Sequence, residues 1–386
     1  MSRPETAEKQ IIRFRPGLRS GVFLFALTAL TACSPRADLI PDAAARDAGN
    51  PIPIYVGTTR ARDEGTVFSK AQPDGLNYAV VNVSVPPDRA PGVVKVPSGK
   101  PDASTDFLTR DVMHYPDRGA FRAAARRALA ARTNPRDEIV VTVHGFNNTA
   151  ADGVFRAAQM AEDFGITGPV FHYAWPSRGE PLGYAADRDA ALIARDGLEE
   201  MLHDLRDAGA RDIVLVAHSM GTQLTMEVLR QMALRGDRAT LSRLGGVVLM
   251  SPDIDPVLFR RQVEEIGDLP QPFVIFSSSR DPALRLSARL TGHDDRLGNI
   301  TSVDAVAGLD VTVIDLSGTK DAASRHLAAA TSPTLIGFLN GSGSLLRSLK
   351  TDATGKTGVL PGTVLLAQEA TAVILAPVVA IEQELE

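Results

Sequence analysis

Ser219 stands in the run Ala217-His218-Ser219-Met220-Gly221, directly after the apolar segment Ile213-Val-Leu-Val. A serine displayed on a sharp turn between a buried strand and a helix is placed to act as a nucleophile, and small neighbours relieve the crowding of that turn. Gly221 meets this demand; Ala217 stands one methyl larger than the glycine usual at its position. A hydroxyl is a weak nucleophile, so it needs a base within reach and a third group to fix the tautomer of that base. Two histidines lie beyond it, His293 in the polar stretch Gly292-His-Asp-Asp-Arg296 and His326 after the last apolar run. The carboxylates on offer are Asp281, in Ser279-Arg-Asp-Pro-Ala-Leu284, and Asp253 and Asp255, in Ser251-Pro-Asp-Ile-Asp255. Asp281 before Pro282 also reads as a helix N-cap. Such a set carries out acyl transfer and calls for no cofactor and no metal.

The elements that must hold these groups are legible from residue 138 onward. Short β-branched runs at Ile139–Val143, Val170–Ala174, Ile213–Ala217, Val247–Met250, Phe273–Phe276 and Val311–Ile314 begin 26 to 43 residues apart. That spacing admits a strand and a crossover helix each time, and unbroken apolar runs suit strands buried on both faces of a parallel sheet. Leu198, Met201, Leu202 and Leu205 mark one helix face, and Leu224, Val228 and Met232 another. The expected class is α/β, with a mostly parallel, doubly wound sheet and right-handed crossovers. Ahead of it, Ile52–Thr58, Tyr78–Val85 and Val93–Val96 predict antiparallel strands opening the same sheet, and Phe121, Ala124, Ala125, Ala128 and Leu129 predict a helix. The apolar tail from Val359 to Ile381 is interrupted by Pro361, Gly362 and Pro377. It reads first as helical pieces packed on the body, with a membrane-surface segment or a partner site as the alternatives.

With 44% hydrophobic residues the 386-residue chain can bury a core, and its net charge of −5 gives no reason to expect nucleic acid. One cysteine allows no internal disulfide and no cysteine-built zinc site. Its place is informative. Residues 1–20 hold five basic side chains against two acidic ones, and an apolar run from Gly21 ends in Leu30-Thr-Ala-Cys33. This pattern is that of a secretory signal, too short for a membrane span. The last four residues resemble the lipobox of bacterial lipoproteins, which implies cleavage before Cys33 and a lipid on its thiol. Ser34 resembles the outer-membrane sorting signal. The expected organisation is a signal peptide over 1–32, a tether over 33–50, one domain over 51–340 and a tail over 341–386. The expected location is the cell envelope, with a lipid anchor in the outer membrane facing the periplasm.

Taken in order, the motifs Tyr55-Val-Gly-Thr-Thr-Arg60, Val143-His-Gly-Phe-Asn147, Trp175-Pro-Ser177 with Tyr184 and Asp187, Ala217-His-Ser-Met-Gly221, Ser251-Pro-Asp-Ile-Asp255 and Ser279-Arg-Asp-Pro-Ala-Leu284 resemble one family. It is the bacterial α/β-hydrolases of the esterase/lipase-like group, long filed as a domain of unknown function. The resemblance implies an α/β-hydrolase fold and acyl transfer to water; a carboxylic ester is the expected substrate, with peptidase, thioesterase and acyltransferase readings open. It implies the chain order serine, acid, histidine, which selects Asp281 and His326 as partners of Ser219. It also implies an oxyanion hole from the N–H groups of Met220 and Phe146, with His144 shaping that loop. Trp175, Tyr184 and Asp187 are then candidates for the pocket mouth or for supports of the loop, with packing the natural role of Trp175. The rival to catalysis is an idle hydrolase fold serving as an envelope scaffold or binding protein.

Overall fold

Runs of branched apolar residues become strands here because both faces of the sheet are covered. The computed structural model describes residues 36–46, 49–63, 67–69, 75–132, 134, 138–319, 325–333 and 335–336, together with strand segments 363–368 and 372–377. The chain divides into a leader, 1–36, and a body, 37–386, and the elements below belong to the body. The proposed signal peptide and Cys33 lie outside the described residues. Among those residues no helix is long and apolar enough to cross a membrane.

The sheet opens with β1 (Asn50–Thr58), β2 (Asn77–Val85) and β3 (Leu108–Tyr115). Helix α1 (Arg118–Ala130) leads to β4 (Ile139–Val143), α2 (Ala150–Asp163) and β5 (Val170–Tyr173). Then follow α3 (Tyr184–Ile193), α4 (Arg195–Asp207), β6 (Ile213–His218), α5 (Met220–Leu234), α6 (Arg238–Leu241) and β7 (Leu244–Met250). The body continues through α7 (Pro256–Ile266), β8 (Phe273–Ser277), α8 (Pro282–Thr291), β9 (Thr312–Asp315) and the short α9 (Ala328–Thr331). These nine strands lie in the order β9-β8-β7-β6-β4-β5-β1-β2-β3, and the hairpin β10 (Thr363–Gln368) and β11 (Ala372–Pro377) adds to the β9 edge. From β9 to β1 every pairing is parallel; β1–β2 and β2–β3 are antiparallel. The sheet is therefore mixed and mostly parallel, with antiparallel N-terminal strands.

Strand alternation divides the core. On β6, Ile213, Leu215 and Ala217 face the side covered by α1, α3, α4, α5 and α7, while Val214 and Val216 face the side covered by α2 and α9. Leu198, Met201, Leu202 and Leu205 are fully buried on α4, as their spacing requires. Each such side chain contributes about 1.5–3 kcal/mol of burial free energy.

Two sequence expectations fail. Val93–Val96 is not a strand: it is boxed in by Pro91 and Pro97 and keeps one cross-chain backbone bond, Phe107 N–H to the Lys95 carbonyl at 2.8 Å. Its place is taken by β3, whose Arg110, Asp111 and His114 hide the strand signal because it is a half-solvated edge. In the described part of the tail, residues 363–368 and 372–377 form the β10–β11 hairpin rather than helical pieces, since short apolar runs of six residues suit strands as well as helices.

Candidate active site

The end of β6 runs into α5 through Ser219, whose backbone takes φ 51° and ψ −124°. A non-glycine residue adopts such a conformation only when its surroundings enforce it. The enforcement is visible: Ser219 N–H donates to the Met250 carbonyl at 3.0 Å, and Thr222 Oγ1 donates to the Ser219 carbonyl at 2.5 Å. A Cβ on Gly221 would lie 2.3 Å from the His144 carbonyl oxygen and 2.9 Å from that of Val143. One on Gly145 would lie 2.8 Å from Ser219 Cβ. The two glycines thus let the loop after β4 close against the Ser219 turn. Met220 opens α5, so its N–H has no acceptor one turn earlier in the helix.

The loop after β4 is held from all sides. The Asn148 amide donates to the Phe146 carbonyl at 2.8 Å and the Gly145 carbonyl at 3.2 Å, while Asn147 takes a positive φ of 60°. Trp175, fully buried, stacks on His144 at 5.0 Å and donates its indole N–H to the His144 carbonyl at 2.7 Å. His144 is sealed in, and burial first, then His172, drive its pKa far below the ordinary range. It shapes the loop as a neutral ring. Asp187 accepts from Ser177 Oγ (2.6 Å) and Arg178 N–H (2.9 Å), fixing the Trp175-Pro-Ser177 segment. Trp175 and Asp187 are supports, then, while Tyr184 lies edge-on to Phe146 at 5.3 Å.

His326, in a turn before α9, meets Asp281, at the start of α8. His326 Nδ1 lies 2.7 Å from Asp281 Oδ2, with the aspartate side chain fully buried and the histidine partly exposed. The other oxygen, Oδ1, accepts the N–H groups of Ala283 (2.9 Å) and Leu284 (3.2 Å). Asp281 thus caps α8 with one oxygen and meets His326 with the other. Burial raises the Asp281 pKa, but the hydrogen bond from His326 and the helix N–H groups outweigh it and leave the carboxyl below its usual value. The sign follows: its stabilisation is present above the unfolded pKa of about 4 and fades as pH falls through the depressed native value. His218 packs against His326. Its Nε2–H donates to the His326 carbonyl at 3.1 Å, and its ring meets the His326 ring at 4.7 Å. A little of that ring reaches solvent, yet dense packing and then His326 push its pKa down to about 3, so it stays neutral.

The rival groups are engaged elsewhere. Asp253 is locked in a buried network, accepting Ser287 Oγ (2.5 Å) and Tyr184 Oη (2.9 Å) and pairing with Arg296 Nε at 3.2 Å. Burial and Asp253 raise the Tyr184 phenol to about 12. His293 is a surface residue on Asp255, 3.1 Å away, and Asp255 caps α7. An Asp253→Asn variant should lose about 3 kcal/mol, because it leaves the Arg296 charge buried and unpaired. Chemical denaturation measures this loss, and activity per folded molecule should stay near wild type.

Sequence reasoning passed over three contributors: Arg60, His218 and Asn148. Arg60, buried in full, donates to the carbonyls of Ser177 (2.8 Å) and Asn148 (3.2 Å), tying the opening motif to both loops. Its burial and nearby Asp187 leave its pKa near 10, so it remains a cation. The signal was an arginine ending an apolar strand. Behind these loops lies a small cavity of about 120 Å³, lined in part by His144, Gly145, Arg156, His172, His218 and Leu327. A larger hollow of about 560 Å³ sits at the other end of the strands, where β1 and β5 begin, among Pro51, Tyr55, Arg132 and Pro169.

The signature of the family described as "Alpha/beta hydrolase of unknown function (DUF900)" matches residues 121–342. The chain belongs to this family. The match spans β4 to β9 and with them Ser219, Asp281 and His326. Solved structures similar to this member of the α/β-hydrolase family include esterase Est22, at 13% identity and TM-score 0.39 over 86% of this chain and 89% of that one. An esterase of Pyrobaculum calidifontis aligns at 13% identity and TM-score 0.31, over 79% and 86% of the two chains. Lipase B of Aspergillus fumigatus aligns at 14% identity and TM-score 0.37, over 64% of each chain, under two thirds of the lipase. At such scores none of them bears on the substrate of this hydrolase. No curated protein matches its sequence.

Proposed function

We propose that this α/β-hydrolase is a serine hydrolase that cleaves carboxylic esters through an acyl-enzyme. Ser219 Oγ attacks the ester carbonyl carbon as His326 Nε2 takes its proton, and Asp281 holds the proton on Nδ1. The N–H groups of Met220 and Phe146 receive the developing oxyanion, each contributing about 3 kcal/mol to transition-state stabilisation. The carbon–oxygen bond to the leaving group breaks as His326 returns the proton to the departing alkoxide. Water, activated by the same imidazole, then releases the acid and restores Ser219. The observation that supports this reading is the 2.7 Å His326–Asp281 pair in a turn beside the strained Ser219 turn. A fluorophosphonate probe should label the wild type, and short p-nitrophenyl esters should turn over. Ser219→Ala should lose both. Labelling that survives in Ser219→Ala refutes the assignment, and a wild type inert to both reagents favours the idle scaffold.

We further propose that the enzyme is a lipoprotein, acylated at Cys33 and held at the outer membrane facing the periplasm. Support comes from the basic leader, the short apolar run and the chain's one cysteine in Leu30-Thr-Ala-Cys33. Globomycin should make cells accumulate a longer precursor, and Cys33→Ser should abolish membrane fractionation. Unchanged size under globomycin would rule the lipid out.

A further inference from the structure

Helix α4 carries Glu199 and His203 one turn apart on one face, and Asp237 precedes α6 beside them. Their ligating atoms converge: Glu199 Oε1, His203 Nε2 and an Asp237 oxygen all lie within 4.8 Å of one another. His203 Nε2 is 2.8 Å from Asp237 Oδ2 and 3.9 Å from Glu199 Oε1, the latter beyond hydrogen-bond reach. The second oxygen of each carboxylate is already held. Glu199 Oε2 accepts from Gln231 Nε2 and from Arg235 at 2.6 Å; Asp237 Oδ1 accepts the Thr240 N–H at 3.1 Å. Outer contacts of this kind orient metal ligands. The charges leave room for a dication. Arg235 is shared between Glu199 at 2.6 Å and Asp196 at 3.5 Å, and Arg206 between Asp207 at 2.9 Å and Asp237 at 3.7 Å, so neither arginine is committed to a ligand carboxylate alone and the cluster keeps a net negative charge. The Glu199 side chain is 4% exposed, Asp237 17% and His203 31%, which closes the site on one side and leaves it open to water on the other.

We propose that Glu199, His203 and Asp237 bind one zinc ion, completed by water, that clamps α4 to the corner between α5 and α6. One imidazole nitrogen with two carboxylate oxygens suits zinc and disfavours calcium and magnesium, which take all-oxygen sets. The site lies beyond the far end of α5, whose 15 residues extend about 22 Å from the Ser219 turn. Its role is structural, separate from the serine chemistry.

The test uses the full-length chain in detergent, stripped with EDTA and titrated with zinc chloride, read by calorimetry and thermal melting. One equivalent should bind, and at zinc about 100 times Kd the melting temperature should rise by about 4 °C. His203→Gln and Glu199→Gln should each lose more than about 100-fold in affinity, since outer contacts alone are worth about 10–100-fold. Their metal-free melting temperatures show that they fold. His293→Ala, at a surface histidine elsewhere, should bind zinc as the wild type does. Absence of saturable binding, binding that survives in His203→Gln, or an equal melting shift with magnesium chloride would each overturn the proposal.

Discussion

Asp281→Asn should lower kcat by about 10⁴-fold while leaving the fold and KM nearly intact. The asparagine oxygen can still accept the Ala283 and Leu284 N–H groups, and asparagine is as good an N-cap as aspartate, so α8 keeps its start. What changes is the group facing His326 Nδ1. An amide N–H there disfavours the tautomer that carries the proton on Nδ1, so Nε2 no longer accepts from Ser219. The negative charge that steadies the imidazolium is lost as well. A substitution of this kind in a serine–histidine–aspartate triad costs about 10⁴ in kcat. Steady-state kinetics on a short p-nitrophenyl ester measures the change. Asp253→Asn is the contrast: stability falls and activity per folded molecule stays. The reverse pattern would transfer the acid's role to Asp253.

Gly221→Ala should destabilise the protein by about 1–3 kcal/mol and displace the loop after β4. The added methyl would meet the carbonyl oxygens of His144 and Val143 at 2.3 and 2.9 Å, and both are backbone at the end of a central strand. Helix propensity alone favours alanine over glycine by about 1 kcal/mol, so any net loss reports the clash directly. Trp175, the one tryptophan, stacks on His144 and gives an intrinsic fluorescence signal at that loop during denaturation. A Gly221→Ala protein as stable as wild type would show that the turn has slack. Ala217, on the neighbouring strand, tolerates its methyl because that side chain points into the core, fully buried, rather than at the loop.

How much of this was legible beforehand differs by element. The central strands β4 to β9 were found within a few residues, because strands buried on both faces leave unbroken apolar runs. The edge strand β3 was missed and Val93–Val96 misassigned, because an edge half in water is written in polar residues. Ser219 announced itself through local constraints, a strand, a tight turn and a glycine. The choice between Asp281 and Asp253, and between His326 and His293, rested on chain order. In the fold each rival has its own partner: Arg296 holds Asp253, and Asp255 holds His293.

The sequence by itself determined what is encoded over short distances. That comprises the sheet's central strands, the sharp turn at Ser219 and the cap at Asp281, since each depends on residues a few positions apart. Only the tertiary structure decided which distant groups meet. His326 reaches Asp281 across 45 positions, Arg60 ties together loops 88 and 117 positions away, and Glu199 faces Asp237 across a helix junction. Such encounters depend on how crossovers stack on the sheet, and packing over that range leaves no local pattern to read.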